Sequence, residues 1–225
     1  MSSNAPYIRL RNVKKGWVTD REEFVVLHSV NLDVYYNQSM TVVGPSGSGK
    51  STLLHILGLL TPVDEGSVFF DDIEVSGTEQ WWNLEIRWNI GTVFQDAKLI
   101  PNLNVLENVA IPLLHRGLWP AYQKEMAAQA LEKVGLSHRL KHLPNQLSGG
   151  ELMRVAIARI LVIEPKLILA DEPTGTLDSK NGEIVSELLY SLVSPRTALV
   201  MVTHHMPLAE RADRIVRIRD GVVYE

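Results

Sequence analysis

Two short stretches combine residue types whose spacing can do chemistry. Gly44-Pro45-Ser46-Gly47-Ser48-Gly49-Lys50-Ser51 satisfies GxxxxGK[ST], directly after one apolar run and directly before another. Glycines let successive backbone N–H groups wrap phosphate oxygens, and the start of the following helix adds partial positive charge. Lys50 would reach the β and γ phosphates of a nucleotide and Ser51 would give an oxygen to Mg²⁺, while Thr52 leads into the helix behind the cradle. The plain alternative is a glycine- and serine-rich turn before a helix. The full pattern in its strand-loop-helix setting favours phosphate binding. In the second stretch, Leu167-Ile168-Leu169-Ala170 runs straight into Asp171-Glu172. Carboxylates at the end of a buried strand are costly without a partner. A Mg²⁺ held by Ser51 and approached by Asp171 through water would supply one, leaving Glu172 to orient and polarise an attacking water. Alone, Asp-Glu reads as an acidic turn; beside the glycine-rich loop it reads as the catalytic end of an ATP site.

The elements that must position these groups are legible as patterns. Thr41 to Val43, Leu167 to Ala170 and Ala198 to Val202 are continuously apolar, as strands of a parallel sheet covered on both faces should be. Each ends in polar, chemically capable residues, where open α/β sheets place their ligands. Between Tyr7 and Val43 the pattern favours strands. Val30, Leu32 and Val34 alternate with Asn31, Asp33 and Tyr35, which predicts a half-buried antiparallel strand, and Val68 to Phe70 is expected to join it. An apolar helix is expected over Thr52 to Leu60. From Pro101 to about Ile163 the helical period takes over: Pro120 can open a helix, Tyr122, Met126, Ala130 and Val134 recur along it, and Gly135 can close it. Ile215 to Tyr224 reads as a hairpin turning at Asp220-Gly221.

Composition narrows the classes. A chain of 225 residues suits one large α/β domain or a core with a small subdomain. A formal charge of −4 argues against a nucleic-acid partner. With no cysteine there is no disulfide framework, thiolate metal site or cysteine nucleophile, and none of the seven histidines is read as part of a metal pair. No apolar run approaches the length of a membrane helix, and Met1 to Pro6 lacks the basic start and apolar stretch of a signal peptide. A cytoplasmic protein is the expectation.

A third stretch, Leu147-Ser148-Gly149-Gly150-Glu151, precedes apolar positions Leu152, Val155, Ala156, Ile160 and Ile163. Ser148 suits a helix N-cap, and glycines at a helix start can present N–H groups to an anion, so this stretch offers a second phosphate-binding surface. The glycine-rich loop, LSGGE, the acidic pair followed by Pro173-Thr174-Gly175-Thr176-Leu177-Asp178, Gln95 in Val93-Phe94-Gln95, and His204 after Ala198 to Val202 stand in the order found in ABC ATPases. Essentially the whole chain resembles that family. Ile90 to Gln95, Leu106 to Leu113 and Leu169 to Gly175 are similar to the group of lipoprotein-release, macrolide-export and cell-division ATPases.

The resemblance implies a P-loop NTPase (RecA-like) core with an antiparallel β-subdomain and an α-helical ABC subdomain, one domain over 1–225. Core and β-subdomain would cover about 1–95 and 160–225, and the helical subdomain about 96–159. It implies Mg²⁺ and ATP as cofactors and a homodimer in which the phosphate loop of one subunit faces LSGGE of the other. Ser148, Gly149 and Gly150 would then meet the γ-phosphate across the interface, His204 would contact it within the same subunit, Gln95 would meet Mg²⁺ and water, and Asp178 would lie at the boundary. Trp17 aligns with the aromatic residue on which the family stacks adenine; a packing tryptophan, or Phe24 as the stacker, are the competing readings. Two departures stand out. Leu152-Met153 replace the polar residues that usually follow LSGGE, and Asp96-Ala97-Lys98 lacks the aromatic-Asn of the lipoprotein-release type. Trp81, Trp82 and Trp88 read as packing residues, with an exposed partner patch as the alternative.

By that resemblance the chain is an ATPase motor, peripheral on the cytoplasmic face of the inner membrane, that drives an integral-membrane permease subunit in export or lipoprotein- or lipid-related transport. The other class kept open is a signalling ATPase acting through membrane partners on cell-wall or division machinery.

Overall fold

The computed structural model describes residues 5–18, 23–77 and 80–224. Met1 to Asn4, the start of the stretch read for an export signal, lie outside the described residues. The chain opens with two long strands, β1 (Ile8–Val18) and β2 (Glu23–Val34), then enters β3 (Ser39–Val43) and helix α1 (Lys50–Leu57). Next come β4 (Glu65–Phe70), the short β5 (Ile73–Glu74), the one-turn helix α2 (Leu84–Arg87) and β6 (Ile90–Val93). Helices α3 (Val105–Ala110), α4 (Pro120–Lys133) and α5 (Gly149–Leu161) fill the middle of the chain. β7 (Leu167–Asp171), α6 (Ser179–Ser191), β8 (Ala198–Val202) and α7 (Met206–Ala209) lead to a closing hairpin, β9 (Arg214–Arg219) and β10 (Val222–Tyr224).

Two sheets result. The first is antiparallel, in the order β2-β1-β4-β5. In β2 the residues Val30, Leu32 and Val34 are buried while Asn31 is exposed, the alternation expected of a sheet with one solvated face. The second sheet has the order β10-β9-β3-β8-β7-β6; its pairs are parallel except for β10, which returns on β9. β3 and β8 are buried at every position because both faces are covered.

Successive side chains of these strands serve two different cores. Leu167 and Leu169 of β7 and Ala198 and Val200 of β8 pack with α1 and the antiparallel sheet, including Leu10, Leu27, Leu53 and Leu57. Ile168, Ala170, Leu199 and Met201 point the other way, into Val105, Leu131, Ile157 and Val185 of the helices. Full burial of one such aliphatic side chain contributes about 1.5–3 kcal/mol. These clusters therefore fix the sheet against both helical layers, and the strand ends are held rigidly.

The helical region starts its helices where the local chemistry allows. Asn104 caps α3 in a reciprocal capping box with Glu107. Pro120 occupies the first turn of α4, and Gly135, at φ +73, ends it. Tyr122, expected on the apolar stripe of α4, is exposed instead. The buried stripe is Gln123, Ala127, Ala130 and Leu131, one residue further round the helix. Gln123 is tolerated there because its amide donates to Leu118 O at 2.8 Å, so no polar atom is stranded. The α1 helix is also shorter than the expected Thr52 to Leu60, ending at Gly58 with Leu59 at φ +53. The expected boundary at residue 160 falls inside α5, whose Ile160 packs where a side chain on Gly91 would sit 2.7 Å away. In the closing hairpin Arg219 pairs with Val222, leaving Asp220 (φ +49) and Gly221 (φ +73) as the two-residue turn. Two positive φ values are what a type I′ hairpin turn requires.

Candidate functional site

The loop between β3 and α1 is tightly held by its neighbours. A side chain on Gly44 would stand 2.0 Å from Ile218 O, and one on Gly49 would stand 2.7 Å from Leu27 Cδ2. Gly49 also adopts φ +102 as the N-cap of α1. Gly47 is different: it needs glycine for its φ of +78, and nothing lies within 4 Å of where its side chain would go. The loop is thus packed on β9 and β2 on one side and open on the other. The ammonium of Lys50 donates to Gly44 O at 3.0 Å and Pro45 O at 2.7 Å, which keeps the charge over the loop. Pro45 is exposed and Ser48 is buried, and neither lines the cavity formed by the rest of the loop.

The acidic pair meets this loop from β7. Asp171 closes the strand opposite Val202 of β8, with the Ser51 side chain beside its carboxylate. Burial pushes the Asp171 carboxyl above its ordinary range, against the pull of Ser51, His55 and Lys50. Glu172 turns out of the strand at φ +47 with its N–H on Val202 O at 3.0 Å. Its Oε2 lies 2.9 Å from His204 Nδ1, but off the line that a hydrogen bond needs, so this buried oxygen has no hydrogen-bond partner among the described residues. The His204 side chain itself is largely exposed. A carboxylate that keeps part of its surface open beside an exposed imidazole is able to accept a proton from a water.

These groups line one cavity of about 550 Å³. Gly44, Ser46, Gly47, Gly49, Lys50, Ser51 and Thr52 form its floor, Asp171, Glu172 and His204 one edge, and Trp17 and Phe24 the other. Trp17 faces Phe24 across β1 and β2, and the two are 41% and 48% exposed. A packing tryptophan would be buried, so that alternative does not hold for Trp17. Lys15 Nζ sits 5.3 Å from the Trp17 ring centroid and is ion-paired with Asp64 at 2.5 Å, which fixes the ring's edge of the cavity. Val26 and Val202 also line the cavity and carried no sequence signal beyond strand propensity.

Other expected site residues are not brought into this cavity. Gln95 follows β6, is exposed, and has its Nε2 3.2 Å from where a Gly175 side chain would begin, beside the loop after Glu172. Ser148, Gly149 and Gly150 start α5 elsewhere on the surface. Ser148 caps that helix in a capping box, with Glu151 N on Ser148 Oγ at 3.3 Å and Ser148 N on Glu151 Oε2 at 2.8 Å. Glu151 is further held by Arg139 Nε at 2.8 Å. The reciprocal pairing was available in the sequence as Ser-x-x-Glu. Ser148 and Gly149 are exposed, whereas Gly150 is buried against Asn181, whose Oδ1 would be 2.6 Å from any side chain at 150. Asp178 caps α6, and hydrogen bonds from Asn181 hold its carboxyl below the ordinary range.

Among the described residues no three His, Cys, Asp or Glu side chains gather into a metal cluster. His138 and His142 stand four apart, but His138 lies in a tight 3-10 turn and His142 Nε2 is 3.2 Å from Arg139 Nη1, so the spacing serves the Arg139 contact. Of the tryptophans, Trp81 is fully buried, whereas Trp82 and Trp88 are 53% and 45% exposed, with Arg87 over the Trp82 ring. The packing reading holds for Trp81 alone.

The chain has counterparts among known proteins. The family model described as ABC transporter matches residues 27–175. The chain belongs to the ABC transporter family. It is 43% identical over 222 residues to the lipoprotein-releasing system ATP-binding protein LolD of Hahella chejuensis, covering 98% of this chain and 96% of that one. It is also 43% identical to the macrolide export ATP-binding/permease protein MacB of Nitrosomonas europaea, over 96% of this chain but 33% of that protein. Among solved structures it is similar to the ATP-binding cassette MJ0796 in a dimeric post-hydrolysis state bound to ADP and Pi. That likeness has a TM-score of 0.87, 39% identity and 97% coverage of each chain. This ABC ATPase therefore has the α/β fold expected of it, binds ATP, and falls in the group that includes lipoprotein-releasing and macrolide-export proteins. Among its described residues no helix is long and apolar enough to cross a membrane.

Proposed function

We propose that two copies of this chain sandwich Mg-ATP between the phosphate loop of one and the Ser148-Gly149-Gly150 helix start of the other. Hydrolysis then drives an integral-membrane permease from the cytoplasmic face of the membrane. The observation that carries this reading is the split of the anion-binding surfaces. Lys50, Ser51, Asp171, Glu172 and His204 share one cavity, while Ser148 and Gly149 are exposed outside it. A second copy can bring its own helix start to that cavity, as befits a relative of a cassette described as dimeric.

Within the site, the N–H groups of residues 46–51 and the Lys50 ammonium take the phosphates. Trp17 gives the adenine a face to stack on, with Phe24 opposite. Ser51 and Asp171 fit a hard divalent cation: both donors are oxygens, and the buried carboxylate is short of positive charge. Gln95 lies outside that cavity, beside the loop after Glu172, and would have to move toward it to meet the ion and water. When bound, Mg²⁺ offsets phosphate charge in the transition state. The Glu172 carboxylate takes the proton of the attacking water, and the exposed His204 beside it meets the γ-phosphate. The partner's Ser148 hydroxyl and glycine N–H groups close on the departing phosphate from the far side.

Lys50→Ala is expected to weaken ATP binding by a factor of about 100 or more, because among the described residues Lys50 is the lysine that lines the cavity and holds its ammonium over the loop. Calorimetry with the purified chain tests this, and an unchanged affinity would remove the phosphate loop from the reading.

The permease partner is assigned to the helical region, where Ile100, Leu114, Trp119 and Tyr122 are all exposed, Trp119 at 84%. Trp119→Asp should leave basal ATPase within about twofold while lowering co-purification with native membranes by about tenfold, as loss of one aromatic anchor does. Undiminished co-purification would move the docking surface elsewhere.

A further inference from the structure

We infer that Gly221, in the closing hairpin far from the phosphate loop in sequence, is a positioning residue for ATP's phosphate site. The inference rests on the reading that residues 44–51 hold the phosphates, and adds a part of the chain that no motif marks. The Gly221 N–H donates to Ser48 O at 3.1 Å, and the Gly221 carbonyl accepts from His28 N–H at 2.9 Å. One residue of the hairpin turn, through the peptides on its two sides, therefore ties the loop to β2. Among the described residues every peptide is trans, and a trans peptide points its C=O and the next N–H in opposite directions. Drawing the Ser48 carbonyl toward Gly221 turns the Gly49 N–H away from the hairpin, toward the cavity that Gly49 lines. Gly221 thus sets the direction of a donor that it never adjoins in sequence.

The turn can reach the loop only with glycine at this position. A Cβ at 221 would stand 2.3 Å from Val26 O and 2.7 Å from His28 Cδ2, and φ is already +73. Type I′ geometry explains why a glycine suits this turn, but not why the turn is pressed against β2 and the loop. The same strand β2 meets the loop directly, since a side chain on Gly49 would also strike Val26 O at 3.1 Å. Val26 closes on both Gly49 and Gly221 and leaves no space for a side chain at either, which puts the loop under the control of β2 and the hairpin together.

The test replaces Gly221 by glycolic acid, through ligation of a synthetic C-terminal peptide to the rest of the chain. The resulting ester deletes the N–H and adds no atom. KM for ATP and Kd for ADP are expected to rise about fivefold, the effect of one hydrogen bond of ordinary net strength, with kcat within about twofold. Gly221→Ala, which moves the turn off β2, should act in the same direction; if it does not fold, the ester decides. Unchanged nucleotide affinity in the ester would overturn the inference. So would a loss of affinity that vanishes when the assay is cooled well below the Tm measured without nucleotide, since that would be general loosening. Lys50→Ala in the same series separates the two readings. If it too leaves ATP affinity intact, the phosphate-loop reading fails; if it weakens binding and the ester does not, Gly221 alone is ruled out.

Discussion

Glu172→Gln is expected to bind ATP as well as the unmodified chain and to hydrolyse it about 100-fold more slowly, or slower still, as loss of a positioned base does. The substitution keeps the shape of the side chain and removes the negative charge. In the structure that charge sits on an Oε2 with no hydrogen-bond partner among the described residues, 2.9 Å from His204 Nδ1, at the rim of the cavity that holds the phosphate loop. The phosphate cradle is untouched, because Lys50 takes its partners from Gly44 and Pro45 and not from Glu172. ATP should therefore accumulate bound and uncleaved, and the dimer that ATP closes should persist long enough to be seen by gel filtration. Single-turnover hydrolysis and equilibrium binding, measured on one preparation, are the check. Wild-type turnover would move the base to another residue. A parallel loss of ATP binding would mean that the carboxylate holds the nucleotide rather than activating water.

Ser148→Arg should abolish both hydrolysis and ATP-dependent dimerisation while the monomer continues to bind ATP. The new side chain would stand at an exposed helix start whose cap consists of the Ser148 hydroxyl and the Glu151 carboxylate. Losing the cap costs about 1 kcal/mol, which α5 tolerates because its Val155, Ala156 and Ile157 are fully buried. The larger effect is steric: a long side chain occupies the surface proposed to meet the partner's phosphates. Mixing this variant with Lys50→Ala gives the sharper result. If each site takes its loop from one chain and its helix start from the other, a mixed dimer has one site with both lesions and one with neither. ATPase activity should then return to about a quarter of wild type in an equimolar mixture, since half the dimers are mixed and each keeps one of its two sites. Shown formation of mixed dimers with no activity would refute a cross-subunit site able to turn over alone. A crosslink between Ser148 and the phosphate loop of the same chain would refute the division of labour altogether.

Much of the site was legible because its chemistry is local. GxxxxGK[ST] needs consecutive residues, since a loop of backbone N–H groups can be built only from neighbours in the chain. The apolar runs before Lys50 and before Asp171 predicted strands that pair in parallel, and they do, through β8. The Asp220-Gly221 turn was equally legible, as both φ values are set within two residues. Reading failed where a side chain's fate depended on a distant neighbour. Tyr122 fits an apolar stripe by period, but Gln123 takes the buried place because Leu118 offers its amide a carbonyl. Three neighbouring tryptophans looked alike, and only the packing of the first sheet against α1 separates the buried Trp81 from its exposed companions.

From the sequence alone came the kind of ligand, the residues proposed to bind its phosphates, the acidic strand end, and the α/β alternation that sets them at one edge of a sheet. Tertiary structure alone decided which of these groups share a cavity. It set Glu172 beside His204 and left Ser148, Gly149 and Gln95 outside the cavity, and it pressed Gly221 onto Ser48 and Val26. The reason is range. Backbone donors and strand periodicity are properties of a few adjacent residues, whereas a contact across 173 positions, from Ser48 to Gly221, exists only once β2, β3 and β9 are packed and leave no room for a side chain.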